Sequence, residues 1–283
     1  TQMWEPLVVG KFSEKYASQV NMAWMWARLH ARTTKLATYA GGFQAFVDEF
    51  AAILAGMGVT FKYETTVKQI TSMPEGGLTI LTGSDELAFD QVLVTVSPAL
   101  LAKMAPQLPG DYLKGLLALK SMGAVVTTIA LKQQLSREGY YWYNLPKAAG
   151  FPFLALVEHT NFLPPEKFGG NHIIYCGDYL DPEHEYFQLS QEELLQRFLP
   201  SFKRINPDFE EDWITGSWLV KTNYAQPVPL LNHSRNIPSI KTPLNGLYFA
   251  SMSQVYPWDR GTNFAVEIAR RAAATMLNRD DKQ

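Results

Sequence analysis

The chain is almost without cysteine: Cys176 is the only one among 283 residues. A single thiol staples nothing and builds no cysteine-based zinc site. Its apolar neighbours in HIIYCGDYL assign it to a buried strand. With no disulfide framework, the sequence points to a reducing, cytoplasmic compartment. Long apolar runs are missing too. No stretch approaches the ~18 residues of a membrane-spanning helix, and no signal peptide is legible. Excess charge of one sign is absent: 25 Lys and Arg stand against 27 Asp and Glu, a net charge of -2. That excludes the electrostatic footprint of a nucleic-acid or anionic-membrane binder. The histidines His30, His159, His172, His184 and His233 are scattered, with neither H-x-x-x-H nor H-E-x-x-H spacing, so no metal centre is expected. His184, in DPEHEYF, reads as part of a solvated loop. Ser97 and Ser217 lie in no G-x-S-x-G elbow, which leaves a hydrolase triad unsupported.

What the chain does have is core-forming material. It is 47% hydrophobic and 13% aromatic, enough for one large domain or two small ones. Residues 5–31 carry Tyr16, Val20, Ala23, Trp26 and Leu29 at helical spacing, with Pro6 and Ser13 as start signals. Arg28 and Arg32 share a face there, as surface charge or as a clamp for an anion. Gly41 and Gly42 break the chain. A helix is then expected from Phe43 to Leu54, ended by Gly56 and Gly58. VTFKYETTVKQI alternates at Val59, Phe61 and Tyr63 as a strand does. GGLTILTG and FDQVLVTVSP read as two further strands, the second apolar enough to be buried on both faces. A helix from Pro98 to Met104 follows.

The middle of the chain reads differently. Strands are expected at 123–133, 139–146, 153–160, 171–180 and 213–227, joined by short loops and interrupted by one helix. Ser190 with Glu193 is a capping box for that helix. Short connections between strands imply an antiparallel sheet. GYYWYN within it is an aromatic strand, packing in a core or at an edge, or walling a substrate. PLNGLYFASMS returns to a buried strand. The chain closes with YFASMSQVYPWDRGTNFAVEIARRAAATML, a strand, a loaded turn and a helix kept slim by alanines. Such a turn aims the unpaired N–H groups of a helix start at a partner, with Thr262 or Asn263 as the cap. A flavin ring with its pyrimidine carbonyl suits that position. A plain C-terminal helix packed on the core suits the pattern as well.

Three segments in order, TYAGGFQAFVDEFAAILAGMGVTFKYETTVKQI, FDQVLVTVSPALLAKMAP and NGLYFASMSQVYPWDRGTNFAVEIARRAA, resemble the amine oxidase, protoporphyrinogen oxidase and phytoene desaturase superfamily of FAD-dependent oxidoreductases. The middle resembles it by strand pattern and by YAQP at 224–227. The resemblance implies a cofactor site at matching positions. Gly41 and Gly42 correspond to the dipeptide that opens the helix before the second flavin-domain segment. Val67 corresponds to a valine whose backbone meets the adenine of FAD; by itself it is an ordinary core residue. Thr95 and Pro98 match the strand-end turn near the dinucleotide. Gly261, Thr262 and Asn263 match the helix start under the pyrimidine edge. Tyr256 and Trp258, with Trp142 and Tyr224, are the candidate substrate wall.

The departures carry expectations of their own. Ser251 and Met252 stand where the family places glycine and an acid near the ribityl chain. The slot of the lysine that amine oxidases carry near flavin N5 falls near Thr127, which favours desaturation or another redox step over amine oxidation. G-x-G-x-x-G, which cradles the FAD pyrophosphate, does not occur. The chain opens Thr1, Gln2, Met3, Trp4, and is expected to be part of a protein longer by on the order of 130–180 N-terminal residues, on domain-size grounds.

The expected fold is mixed, α+β or α/β, with Rossmann-like FAD-domain pieces flanking an antiparallel substrate lobe. Residues 1–37 form a helical part of that lobe, 38–106 an FAD-domain segment, 107–242 the antiparallel lobe and 243–283 the closing FAD-domain segment. The expected activity is hydride transfer from a small organic substrate to flavin N5. The chain alone is expected to be incomplete and inactive, its partner being the FAD-binding segment of the same protein. The alternatives are a flavin-dependent, sugar-mutase-like isomerase and a non-catalytic binding module.

Overall fold

The computed structural model describes residues 4–31 and 35–278. In chain order it runs through helices α1 (Trp4–Ala17), α2 (Met22–His30) and α3 (Gly42–Gly56) to strands β1 (Gln69–Ser72), β2 (Leu78–Leu81), β3 (Glu86–Phe89) and β4 (Val92–Val94). Helices α4 (Pro98–Met104) and α5 (Gly110–Ala118) precede β5 (Ser121–Leu131), β6 (Trp142–Asn144), β7 (Ala155–Glu158) and β8 (His172–Leu180). The chain ends with α6 (Gln191–Ile205), β9 (Ile214–Pro227), α7 (His233–Asn236), β10 (Leu247–Phe249) and α8 (Thr262–Met276). Arg32 lies outside the described residues.

Two compact units result. Thr1–Val20 and Ser121–Leu230 form one, Asn21–Lys120 and Leu231–Gln283 the other.

The first unit is an antiparallel sheet in the order β6-β7-β8-β5-β9. Alternation along the strands gives it two unlike faces. One buries Val125, Ile129, Leu156, Ile174 and Cys176 against Leu194, Phe198, Leu199 and Phe202 of α6. The capping box forms as expected: Ser190 Oγ accepts from the Glu193 amide at 3.2 Å, and Glu193 Oε2 accepts from the Ser190 amide at 2.7 Å. Gly123 lies at a bulge where β5 meets β9. A Cβ there would come within 2.5 Å of the Phe187 ring and 2.8 Å of the Thr222 carbonyl oxygen. Cys176 is buried on the helix-covered face, as its neighbours imply.

The second unit is built around β4 and β10, which pair in parallel with Leu247 opposite Val92 and Phe249 opposite Val94. On one side Val92, Val94, Leu247 and Phe249 pack with Leu101 of α4, Leu116 of α5, and Ile70 and Leu78 of the small antiparallel sheet β1-β2-β3. On the other side Ala250 and Leu93 meet Ile268 and Ala272 of α8.

Several expectations change. Residues 5–31 form two helices, because Asn21 caps a fresh start at the Trp24 amide and Ser13 takes φ 60° inside α1 and kinks it. The strand expected from Val59 begins only at Gln69. Glu64 adopts a left-handed φ of 51°, and Val59, Phe61 and Tyr63 are exposed, since no described strand pairs with them. Alternation without a partner strand makes no ladder. Helix α3 does end at Gly56, with Gly58 at φ 94° just beyond its cap, as expected. FDQVLVTVSP divides between the end of β3 and β4. Helix α5 has no counterpart in the sequence reading. GYYWYN is a strand only at Trp142–Asn144.

Candidate functional site

Both strands of the parallel pair run the same way, so their C-terminal ends lie side by side. The Ala250 amide donates to the Val94 carbonyl at 3.0 Å. Each strand then feeds a helix. β4 passes through Thr95 to Ser97, whose hydroxyl caps α4 by accepting from the Leu100 amide at 3.3 Å, with Pro98 in the first turn. β10 passes through Ser251 and the aromatic turn into α8. In open α/β sheets the crevice beyond adjacent parallel strand ends, faced by helix N-termini, is where nucleotide ligands dock.

Two features fit a polar, oxygen-rich cofactor at that edge. Ser251 is buried and stands opposite Gln254 in a capping-box arrangement, its amide donating to Gln254 Oε1 at 2.7 Å, while its hydroxyl is in no hydrogen bond of good geometry. A hydroxyl held out of water without a partner costs stability until something bonds to it. Helix α8 also starts without a side-chain cap: Gly261 is the N-cap, in extended backbone, and neither Thr262 nor Asn263 bonds back. The expected cap from those side chains is therefore corrected. The first amides of α8 are without a side-chain acceptor.

Met252 stands where an acid was expected, and it packs into the apolar cluster of Ala250, Ile268 and Ala272. Its thioether offers that edge no charge. Val67 is half-buried against the core beside Ile70. Gly41 and Gly42 take φ of 85° and 83°, and Gly41 is the N-cap of α3, again without a side-chain cap. The left-handed conformation explains glycine at both positions.

The aromatic turn is ordered from within the same unit. Tyr256 Oη donates to Asn21 Oδ1 at 3.1 Å, and its ring lies 5.3 Å from that of His233. His233 is buried, with Nε2 3.2 Å from the Ser253 carbonyl oxygen; burial lowers its pKa below the ordinary imidazole value. Trp258 stacks on Phe264 at 5.9 Å and meets Trp26 at 6.3 Å. Asp259 accepts from Arg28 Nη1 at 2.7 Å. Arg28 thus lies in a defined pair rather than loose on the surface. Sequence reasoning missed Asn21, Trp26 and His233, because nothing in their local pattern signals a partner more than 200 positions away in the first two cases.

The other two wall candidates belong to the first unit. Trp142 lies on the face of the large sheet turned away from α6, as its register with Val157 requires, and is 52% exposed. Trp218 lies on the same face at 55% and was not singled out from the sequence. Tyr224 is half-buried near the end of β9. Thr127 points the opposite way, into the helix-covered core beside Cys176, and its hydroxyl is buried without a partner.

Other polar groups are structural. His184 Nδ1 accepts from the Tyr186 amide at 3.2 Å, which makes it a half-buried turn residue rather than a solvated one. Among the described residues no cluster of His, Cys, Asp or Glu has metal-binding geometry, and no helix is long and apolar enough to cross a membrane.

Comparison with known proteins places these features in context. The model of the family "Flavin containing amine oxidoreductase" matches residues 3–277. No curated protein matched significantly. Among solved structures, that of a putative protoporphyrinogen oxidase from Exiguobacterium sp. 255-15 superposes with a TM-score of 0.74 at 16% identity, over 97% of this chain and 63% of that one. A putrescine oxidase redesigned in cofactor binding gives 0.60 at 19% identity, over 84% and 53%. An oxidoreductase from Methanosarcina mazei gives 0.56 at 18% identity, over 75% and 49%. At such identities the likeness is one of fold. The chain spans from about half to just under two thirds of the length of these structures.

Proposed function

The chain belongs to the flavin containing amine oxidoreductases, and from that premise we propose that it supplies one edge of an FAD site and the substrate-binding sheet of an oxidoreductase. The observation that carries the reading is the edge beyond β4 and β10. Two parallel strand ends lie together there, with a buried hydroxyl in no hydrogen bond of good geometry and an uncapped helix start.

On this reading Ser251 donates a hydrogen bond to an oxygen of the cofactor. The amides of Thr262 and Asn263 bond to a carbonyl that gains negative charge on reduction. Thr95 and Pro98 shape the strand-end turn beside them, and Gly41, Gly42 and Val67 supply backbone on the dinucleotide side. Flavin, when bound, would supply an acceptor at N5 for a hydride from a substrate C–H bond, in an amine the C–H on the carbon attached to nitrogen. The protein's part is to orient and to exclude water. Tyr256 and Trp258 would present ring faces to a partly apolar organic molecule, while Trp142 and Tyr224 are candidate aromatic surface of the sheet unit by itself.

The native polypeptide is further proposed to carry a nucleotide-binding segment that packs on α3. That helix has no buried residue, and Phe43, Val47, Phe50 and Ile53 are exposed along it. A contiguous apolar surface of this kind marks an interaction site. β4 also has no strand on its second edge among the described residues, whereas parallel strands ordinarily occur in larger covered sheets. The greater length of the solved structures supports the same reading.

Anaerobic mixing of the flavin-loaded native polypeptide with candidate amines and desaturable substrates tests the activity. Bleaching of the oxidised flavin by one of them is expected. Turnover with no net redox change would favour the isomerase instead, a reading that the missing acid at Met252 motivates.

A further inference from the structure

Helix α2 and the aromatic turn are 200 and more positions apart in the chain, yet three contacts fasten one to the other. Asn21 Oδ1 accepts from both the Trp24 amide, at 3.0 Å, and Tyr256 Oη, at 3.1 Å. The cap of α2 is therefore also the anchor of the Tyr256 ring. Arg28 Nη1 donates to Asp259 Oδ2 at 2.7 Å, while Asp259 Oδ1 accepts from the Arg260 amide at 3.0 Å. One carboxylate thus joins α2 to the backbone step just before Gly261. The Asp259 side chain is only 11% exposed, which distinguishes the pair from an ordinary surface ion pair. Third, Trp26 stacks on His30 at 4.7 Å with an interplanar angle of 10°, and meets Trp258 at 6.3 Å and 40°.

Trp26 remains 56% exposed although both neighbours hold its ring. An indole ordered in advance loses little freedom when a ligand covers it. Behind Trp258 the cavity bounded by Phe264 and Ile268 measures about 60 Å³, room for a water or two but not for a ring. A planar ligand at this turn would pack on the exposed Trp26 indole rather than in that space.

We propose that Arg28 is a positioning residue, fixing the Trp258 turn through Asp259, and that Trp26 and Trp258 together receive a flat, unsaturated ring of the substrate. The proposal rests on reading Tyr256 and Trp258 as the substrate wall. It adds α2, which that reading leaves out.

Two measurements test it. Trp26 and Trp258 lie close enough for their transitions to couple, so the far-ultraviolet circular dichroism should contain a Trp–Trp couplet. The couplet should vanish in Trp26→Leu, weaken in Arg28→Met and in Asp259→Asn, and persist in Arg28→Lys. Asp259→Asn breaks the same pair from the other side, so the test survives if Arg28→Met does not fold. An unchanged couplet in the folded Arg28→Met and Asp259→Asn variants overturns the positioning role. The second measurement is a fluorescence titration with 2-naphthylmethylamine as probe. Binding should weaken about five-fold in Trp26→Leu, the scale of one lost ring contact. It should be unchanged in Lys114→Ala, a remote surface variant. No binding to the native protein, or equal binding to Trp26→Leu, overturns the ring site. Neither readout needs flavin. A native polypeptide that lacks flavin would sink the proposed function and leave these results standing.

Discussion

Asp178 is an acid placed where water does not reach. It lies on the helix-covered face of β8, its side chain 6% exposed, with Lys147 Nζ 3.3 Å from Oδ2 and no partner for Oδ1. Burial raises its pKa from 3.8 to about 6, and the nearby Lys147 ammonium only partly opposes this. Desolvation of the charged form outweighs the ion pair. The sign of the consequence follows from proton counting. Between about pH 4 and pH 6 the folded chain holds a proton on Asp178 that the unfolded chain has released. The group's contribution to stability therefore falls as pH rises through that window and is flat above it. A gap of about two pH units, at about 1.4 kcal/mol each, makes the ionised carboxylate cost about 3 kcal/mol. Asp178→Asn keeps the shape and cannot ionise. Lys147, half-exposed, returns to water at little cost. Urea unfolding of native and variant at several pH values is the assay. The variant should be more stable than the native chain by up to about 3 kcal/mol near pH 8, and the advantage should shrink toward zero near pH 4. A variant less stable near pH 8, or a difference that ignores pH, would refute the reasoning.

Other perturbations give distinct signatures. Glu158 is fully buried and accepts from the Leu135 and Ser136 amides, both at 2.7 Å, and from Asn161 Nδ2 at 3.1 Å. Glu158→Ala strands two buried amides and should cost about 3 kcal/mol or more in chemical denaturation. Gly123→Ala pushes a methyl into Phe187 and the Thr222 carbonyl, and should lower the melting temperature by several degrees, on the scale of about 1–3 kcal/mol for overpacking. Ser190→Ala, with half of the capping box gone, should cost about 1 kcal/mol by the same denaturation assay. Ser251→Ala should separate stability from function. It removes a buried hydroxyl that is in no hydrogen bond of good geometry, so the melting temperature should hold or rise, while FAD affinity measured by fluorescence quenching should fall.

Where a short pattern determines its own structure, the sequence was a good guide. The α6 cap needs only Ser190 and Glu193, and the start of α4 needs only Ser97 and Pro98; both formed where local chemistry demanded. The long strands β5, β8 and β9 were legible because alternation and a partner strand coincide in them. The stretch from Val59 to Tyr63 alternates equally well but has nothing to pair with among the described strands. Helix α3 shows the same limit from the other side. Its apolar stripe predicted a helix correctly, while its burial depends on what covers Phe43 and Phe50. At the candidate site, the turn and helix start were visible as motifs. The contribution of α2 was not, because Asn21 and Arg28 find Tyr256 and Asp259 only through the fold.

The central claim is that this chain forms part of a flavin-dependent oxidoreductase. The most direct measurement is the visible absorption spectrum of the purified native polypeptide that carries this sequence, followed by chromatography of what it releases on denaturation. The account predicts an oxidised-flavin band that leaves the protein as FAD. A colourless polypeptide that stays colourless after incubation with FAD would contradict it.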